Sequence, residues 1–312
     1  MKRLAMVAGI LALAAMALGA GKPAETEQDK VLAKMPLFTK DDAWHKDVSK
    51  EAVDPNSAAI VAGIGVGKSL HPDFGTKYGI PFQLVNKSTP KVSPKFEYAD
   101  ESDKGPYPVP AKPLIEGVDN GTSKVEGDRH ILCIDSETWK LYELYHCFEK
   151  NGEGKGWDCG SGAIFDLTKK SVGQRPNGWT SADAAGLPIF PGLVRFDEVG
   201  IKKEIDHAIR FTCVKSRKAF ISPASHHAGR GMDATLPPMG MRVRLKADVD
   251  ISGYPEDCQV ILKCLKKYGM ILADNGSDWY ISGAPDPRWD DESINALKKV
   301  RGKDFEVVKM GE

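Results

Sequence analysis

Glu204 and Asp206 stand two residues apart in the run from Lys203 to Phe211, whose β-branched and aromatic residues read as a strand. Alternation places Glu204, Asp206, Ala208 and Arg210 on one face and Ile205, His207, Ile209 and Phe211 on the other. The two carboxylates then project side by side, with their backbones about 6.6 Å apart. Each opposes the other's ionisation, so one pKa rises. A protonated acid beside an ionised base is what cleavage of a glycosidic bond uses. Arg210, on the same face, is a candidate to hold a carboxylate or an anionic sugar. The competing assignment is a solvated sheet face, because paired charges on strands are commonly exposed.

Asp183 follows Trp179 in a loop and is the candidate third acid, with a turn-capping Asx role as its rival. His226 and His227 follow Pro223-Ala224-Ser225. Adjacent strand residues face opposite ways, so one catalytic or substrate-contacting histidine, His226, is expected in preference to a metal pair, with an ordinary loop histidine as the stronger rival. His207 reads as a core histidine held by a hydrogen bond. Trp279, Tyr280 and Trp289 lie near Asp274 and Asn275. Flat rings beside carboxylates and amides suit sugar recognition, since ring faces stack while hydroxyls take polar partners. Core packing for Trp279 and a structural turn at Asn275-Gly276 are the alternatives. The expected substrate contacts are therefore Trp179, Arg210, His226, Asp274, Asn275, Trp279, Tyr280 and Trp289. No metal site or cofactor is expected.

Glu204-Ile205-Asp206 is similar to the catalytic strand of laminarinase and lichenase type glycoside hydrolases. Those enzymes are jelly rolls with a Glu nucleophile, a helper Asp and a second Glu as acid/base. The second Glu would fall near Ala208 or Ile209, so the acid would have to come from elsewhere in this chain. Gly178 to Asp183, Phe190 to Phe196 and Ala273 to Tyr280 resemble an uncharacterised family of secreted bacterial β-rich proteins. That resemblance implies export and fold class only.

These residues need elements to carry them. The 312 residues are 41% hydrophobic, enough for a packed core, and 43 Lys+Arg balance 43 Asp+Glu, so no basic field exists to hold nucleic acid. Lys2 and Arg3 precede an uncharged run from Leu4 to Leu18, and Ala17-Leu18-Gly19 fits a small-x-small cleavage site. Residues 1–19 read as a signal peptide, residues 20–55 as a loose polar leader and residues 56–312 as one β-rich domain. Removing Lys2 and Arg3 takes the 43 basic residues to 41 against 43 acidic. The mature chain is then nearly neutral, secreted or periplasmic, without an integral membrane segment.

Short β-branched and aromatic runs separated by Gly, Pro, Asp and Asn recur from Ile80 to Val308. Ser136-Glu137-Thr138 reads as a hairpin turn, and Met241 to Ala247 as a half-buried strand. Two helices are expected late: Pro255 to Tyr268, stopped by Gly269, and one capped by Asp290 and running through Val300. The expected fold is mainly β, an antiparallel β-sandwich or jelly roll with two late helices.

Ala62-Gly63-Ile64-Gly65-Val66-Gly67-Lys68-Ser69 fits a relaxed phosphate-loop pattern, but Pro72 falls where the required helix would continue. Export would permit disulfides among the six cysteines. Cys147 and Cys159 flank a Gly-rich loop whose closure would contribute about 3 kcal/mol. Cys258 and Cys264 share one helix, about 9 Å apart along its axis, too far to pair. Buried thiols with at most one bridge are expected. The favoured function is a secreted polysaccharide-degrading glycoside hydrolase with a carbohydrate polymer as partner. A polysaccharide lyase using Arg210, His226 and Tyr280, or a non-catalytic carbohydrate-binding or envelope module, are the alternatives.

Overall fold

A computed structural model describes residues 23–118, 127–150 and 156–311; the expected signal peptide lies outside them. The fold is mainly β, with several sheets and few helices. The main elements are helices α1 (Glu27–Leu32), α2 (Ser57–Ile64), α3 (Glu256–Lys267) and α4 (Asp291–Asn295). Two sheets are built from strands β1 (His71–Asp73), β2 (Phe82–Val85), β3 (Ile131–Asp135), β4 (Lys140–Tyr145), β5 (Ser161–Asp166), β6 (Ile209–Cys213), β7 (Arg242–Leu245), β8 (Met270–Asn275), β9 (Tyr280–Ser282) and β10 (Phe305–Val307).

The larger sheet runs β1-β9-β6-β8-β7-β10, and the smaller runs β5-β4-β3-β2. Both are mixed, not antiparallel throughout: β1 pairs β9, β6 pairs β8 and β2 pairs β3 in parallel. The hairpin expected at Ser136-Glu137-Thr138 joins β3 to β4, with Asp135 opposite Lys140. A bulge between Phe211 and Thr212 shifts the β6–β8 register, so Thr212 lies opposite Asp274.

Helix α3 forms where its apolar stripe predicts. Cys258, Ile261, Leu262 and Leu265 are buried, while Glu256 and Asp257 in the first turn and Lys266 and Lys267 in the last suit the helix dipole. Gly269 ends it at φ +67°, and a Cβ there would meet the Val243 carbonyl oxygen at 2.3 Å. At the second expected helix, Asp290 accepts hydrogen bonds from the Glu292 and Ser293 amides. Only Asp291–Asn295 is α-helical there, and Ala296–Lys299 tightens into a 3₁₀ turn.

Residues 23–55 are not loose. Leu32, Leu37, Phe38, Trp44 and Val48 are buried, and Asp42 accepts from the amide and hydroxyl of Ser171. Polar composition hid a few widely spaced apolar anchors. The segment is also tied to β7, where Arg244 donates to the carbonyls of Val48 and Glu51. Helix α2 was not expected either, and it ends before Lys68, which pairs with Asp278. The helix thus runs through Gly63 and ends before Gly65 instead of starting at the Lys, the reverse of a phosphate loop. Among the described residues, no helix is long and apolar enough to cross a membrane.

Candidate functional site

The strand expected from residue 203 begins only at Ile209. Its neighbour β8 starts at Met270, opposite Ile209, because α3 occupies the chain up to Gly269; residues 204–208 therefore have no ladder to join. Asp197–Lys202 instead forms a π-helical turn, and Lys203 takes a left-handed conformation. Glu204 is exposed, and Asp206 is half-buried and paired with Lys202 at 3.0 Å. Both line a cavity with Arg195 and Glu198, separate from the one that holds Asp183 and Asp274. The geometry does not bring the three expected acids together. His207 is buried with Nε2 on the Glu198 carboxylate, a core histidine.

The aromatic candidates divide. Trp279 is fully buried, stacked between Phe211 and Phe305, and its Nε1 donates to the Gly65 carbonyl. Trp289 packs against Phe74 and Phe196 and donates to the Ala284 carbonyl. These two are core residues, not groove walls. Trp179 is half-buried, beside the Arg175 guanidinium, and touches neither cavity described next. Tyr280 is half-buried and stacks on His71 at 4.0 Å.

Asp183, Arg210, His226, Asp274, Asn275 and Tyr280 do converge. Two adjoining cavities of about 470 and 340 Å³ share Asp128, Asp274 and Asn275 in their walls. The floor is one face of the larger sheet. Ser282 lies opposite Asp73, and Thr212 lies opposite both Tyr280 and Asp274, so polar side chains from β1, β9, β6 and β8 stand in neighbouring rows. The far wall comes from the smaller sheet: His130 just before β3, Tyr145 at the end of β4 and Ser161 at the start of β5. The loop carrying Asp183 is fastened between them. The Ser161 hydroxyl donates to the Ser181 carbonyl, and the Ala185 amide donates to the carbonyl of Ala273, next to Asp274.

Arg210 donates from Nη2 and Nε to the two carboxylate oxygens of Asp183, at 2.7 and 3.2 Å, and from Nη1 to the Ser282 hydroxyl. Burial raises the Asp183 carboxyl, and the Arg210 guanidinium works against that rise. His130 faces the Glu116 carboxylate at 2.6 Å through Nδ1 and the Ala182 carbonyl at 3.1 Å through Nε2. Both partners only accept, so both nitrogens donate and the ring is an imidazolium. Burial opposes that charge, but Glu116 outweighs it and lifts His130 to about 9. Glu116 in turn is lowered: burial works against its charge, and His130 overcomes it.

Asp274 behaves oppositely. Burial, with the Asp183 charge behind it, raises Asp274 to about 7, although the Asn275 amide donates to it at 2.6 Å. Asp73, at the rim, is raised by loss of water and by Glu116. Glu143 is fully buried behind the site, where it accepts from the Ile189 and Phe190 amides at 2.9 Å. Burial pushes it to about 7. The Nδ1 of His226 donates to the Ala184 carbonyl at 2.8 Å.

Glu116, His130, Asp73 and Tyr145 were missed from the sequence. Each lies far in sequence from Asp274, on elements that only tertiary pairing joins. The one legible signal was His130 beside an apolar strand. Tyrosines 78, 98, 145 and 280 supply the aromatic surface of the two cavities in place of the buried tryptophans. Among the described residues, no group of three or more His, Cys, Asp or Glu is arranged to hold a metal ion. No family model matches this chain, and no curated protein or solved structure is significantly similar to it.

Proposed function

We propose that the protein is an exported glycoside hydrolase acting on a polysaccharide in the cleft around Asp274. The observation that carries this reading is two carboxyls in one cavity with opposite surroundings. Glu116 lies 2.6 Å from His130 Nδ1, which lowers it, while Asp274 sits near Asp183 with no cationic hydrogen-bond partner among the described residues and is raised to about 7. Environments that drive two titrating groups apart are the basis of acid/base assignments in glycoside cleavage. Protonated Asp274 donates its proton to the leaving glycosidic oxygen. Ionised Glu116 attacks the anomeric carbon or takes a proton from the attacking water. Tyr145 and Tyr280 offer ring surface to the sugar, and Asn275 and the Nε2 of His226 offer hydrogen-bond partners.

Arg210 favours hydrolysis over uronate elimination. A lyase needs a cation to neutralise the substrate carboxylate, whereas the Arg210 charge is already matched by Asp183 and that of His130 by Glu116. The reading does not depend on a jelly roll, because the cleft lies where one mixed sheet meets the end of another. Export, to the periplasm or beyond, rests on the N-terminal sequence and on the resemblance of Gly178 to Asp183 and Ala273 to Tyr280 to secreted proteins.

The test is cleavage of a panel of neutral and uronic polysaccharides, following both new reducing ends and unsaturated products. New reducing ends that disappear in Asp274→Asn are expected. Unsaturated products would overturn the assignment in favour of a lyase, and saturable binding without cleavage would favour a recognition module.

A further inference from the structure

Cys147 and Cys159 are opposite one another in a continuous antiparallel register. Tyr145 pairs with Ser161 on β4 and β5, and Phe148 pairs with Asp158 in the short ribbon that extends them. Between those pairs the same register places Cys147 directly across from Cys159. Opposed residues of an antiparallel pair have Cα atoms roughly 4.5–5.5 Å apart, inside the range a disulfide spans. Both side chains are buried in one apolar cluster, and the two sulfurs face each other at 3.0 Å.

The other four cysteines have different neighbours. Cys133 lies opposite Tyr142 and receives the Gln83 amide on its sulfur. Cys213 faces the Lys215 carbonyl, Cys258 that of Ser293 and Cys264 that of His207.

We propose that Cys147 and Cys159 form a disulfide that braces the tyrosine-bearing wall of the cleft. The pair sits where several strands of that wall are fastened. The Cys159 and Gly160 carbonyls accept from the Glu97 and Tyr98 amides at 3.0 and 2.9 Å. The Arg129 Nε donates to the Cys147 carbonyl at 2.8 Å, and the His146 amide donates to the Asp128 carbonyl at 2.8 Å. A covalent link between the two strands therefore ties Tyr98, Asp128 and Tyr145 into one rigid edge. The oxidant is a small disulfide such as glutathione disulfide. Its S–S bond breaks as the protein S–S bond forms, two electrons pass from the protein thiols to it, and the two thiol protons end on the two glutathione sulfurs.

The inference is independent of any hydrolytic activity and is tested on the full chain without its signal peptide, folded in a glutathione redox buffer. The protein is denatured, alkylated without reduction and mapped as peptides. A cross-linked peptide joining Cys147 to Cys159, with four alkylated cysteines elsewhere, is expected. Six alkylated cysteines, or a bridge using any other pair, would overturn it. Reduction of the folded wild type should lower its melting temperature by about 5 °C. The double variant Cys147→Ala/Cys159→Ala should show no such change on reduction, and an equal drop in that variant would also count against the bridge.

Discussion

The Arg210 guanidinium closes on Asp183 through two hydrogen bonds of 2.7 and 3.2 Å, both side chains buried where the larger sheet meets the loop from residues 180 to 184. The pair does two things at once. It fixes a loop to a sheet strand, and it holds the Asp183 carboxyl close to Asp274, where a charge on it opposes that residue's ionisation. In the proposed hydrolysis Asp183 would therefore act through Asp274, in place of the third-acid role expected from the sequence.

Arg210→Met leaves the Asp183 charge buried without a partner and is expected to cost about 3–5 kcal/mol. Adding Asp183→Asn should recover a large part of that loss, because an amide carries no charge to strand. Urea unfolding of the two variants and the wild type measures both quantities. A single-variant cost below about 1 kcal/mol would mean that the pair is not the buried contact described.

Glu204→Gln should be silent. Glu204 is exposed, so a change within about 0.5 kcal/mol is expected for stability and no change for polysaccharide cleavage. Assaying it alongside Asp274→Asn separates the two locations for the acid. Loss of cleavage in Glu204→Gln with retention in Asp274→Asn would return the chemistry to the cavity beside Arg195.

Periodicity made some of this molecule legible. The stripe in Glu256–Lys267, the stop at Gly269, the cap at Asp290 and the hairpin after Asp135 are local features, and the structure has all of them. Where strands start is not local. Alternation in residues 203–211 was real, but β6 waits for β8, whose first residue is set by the end of α3. The parallel pairings hide in the same way, since they join residues such as Phe82 and Leu132 across long connections. At the site, Asp183, Arg210, Asp274 and Tyr280 stood out by type and by neighbours. Glu116 became visible only once β3 brought His130 against it.

The His130–Glu116 pair gives stability a pH dependence on the alkaline side. The His130 pKa rises from 6.5 to about 9 on folding, so its stabilisation is complete below about 6.5 and is lost as pH climbs through about 9. The full effect is on the order of 3 kcal/mol. Melting temperatures of the wild type and His130→Gln should differ most near pH 6 and converge above pH ~9.5. A difference that stays constant across that range would show that the ring is already neutral in the folded protein.

Asp274 makes the sharpest prediction, because activity and stability should move in opposite directions. Its carboxyl is raised to about 7, so the fraction able to donate a proton falls as pH rises through 7, and kcat/KM should fall with it. The acidic limb belongs to Glu116, held below its ordinary value by His130, so the optimum lies between the two. Asp274→Asn cannot donate in this way and should lose about 10²–10⁴-fold in kcat while retaining substrate binding. For stability the sign reverses. A carboxyl raised on folding favours the native state only while it is protonated, and that contribution disappears as pH rises from the unfolded value near 3.9 to about 7. Asn carries no such penalty, so Asp274→Asn should unfold at a higher temperature than the wild type at pH 8 and lose that advantage by pH ~4. Thermal melts at the two pH values, beside the pH–rate profile, test both halves. An unchanged alkaline limb in the variant would remove Asp274 from the chemistry whatever its stability does.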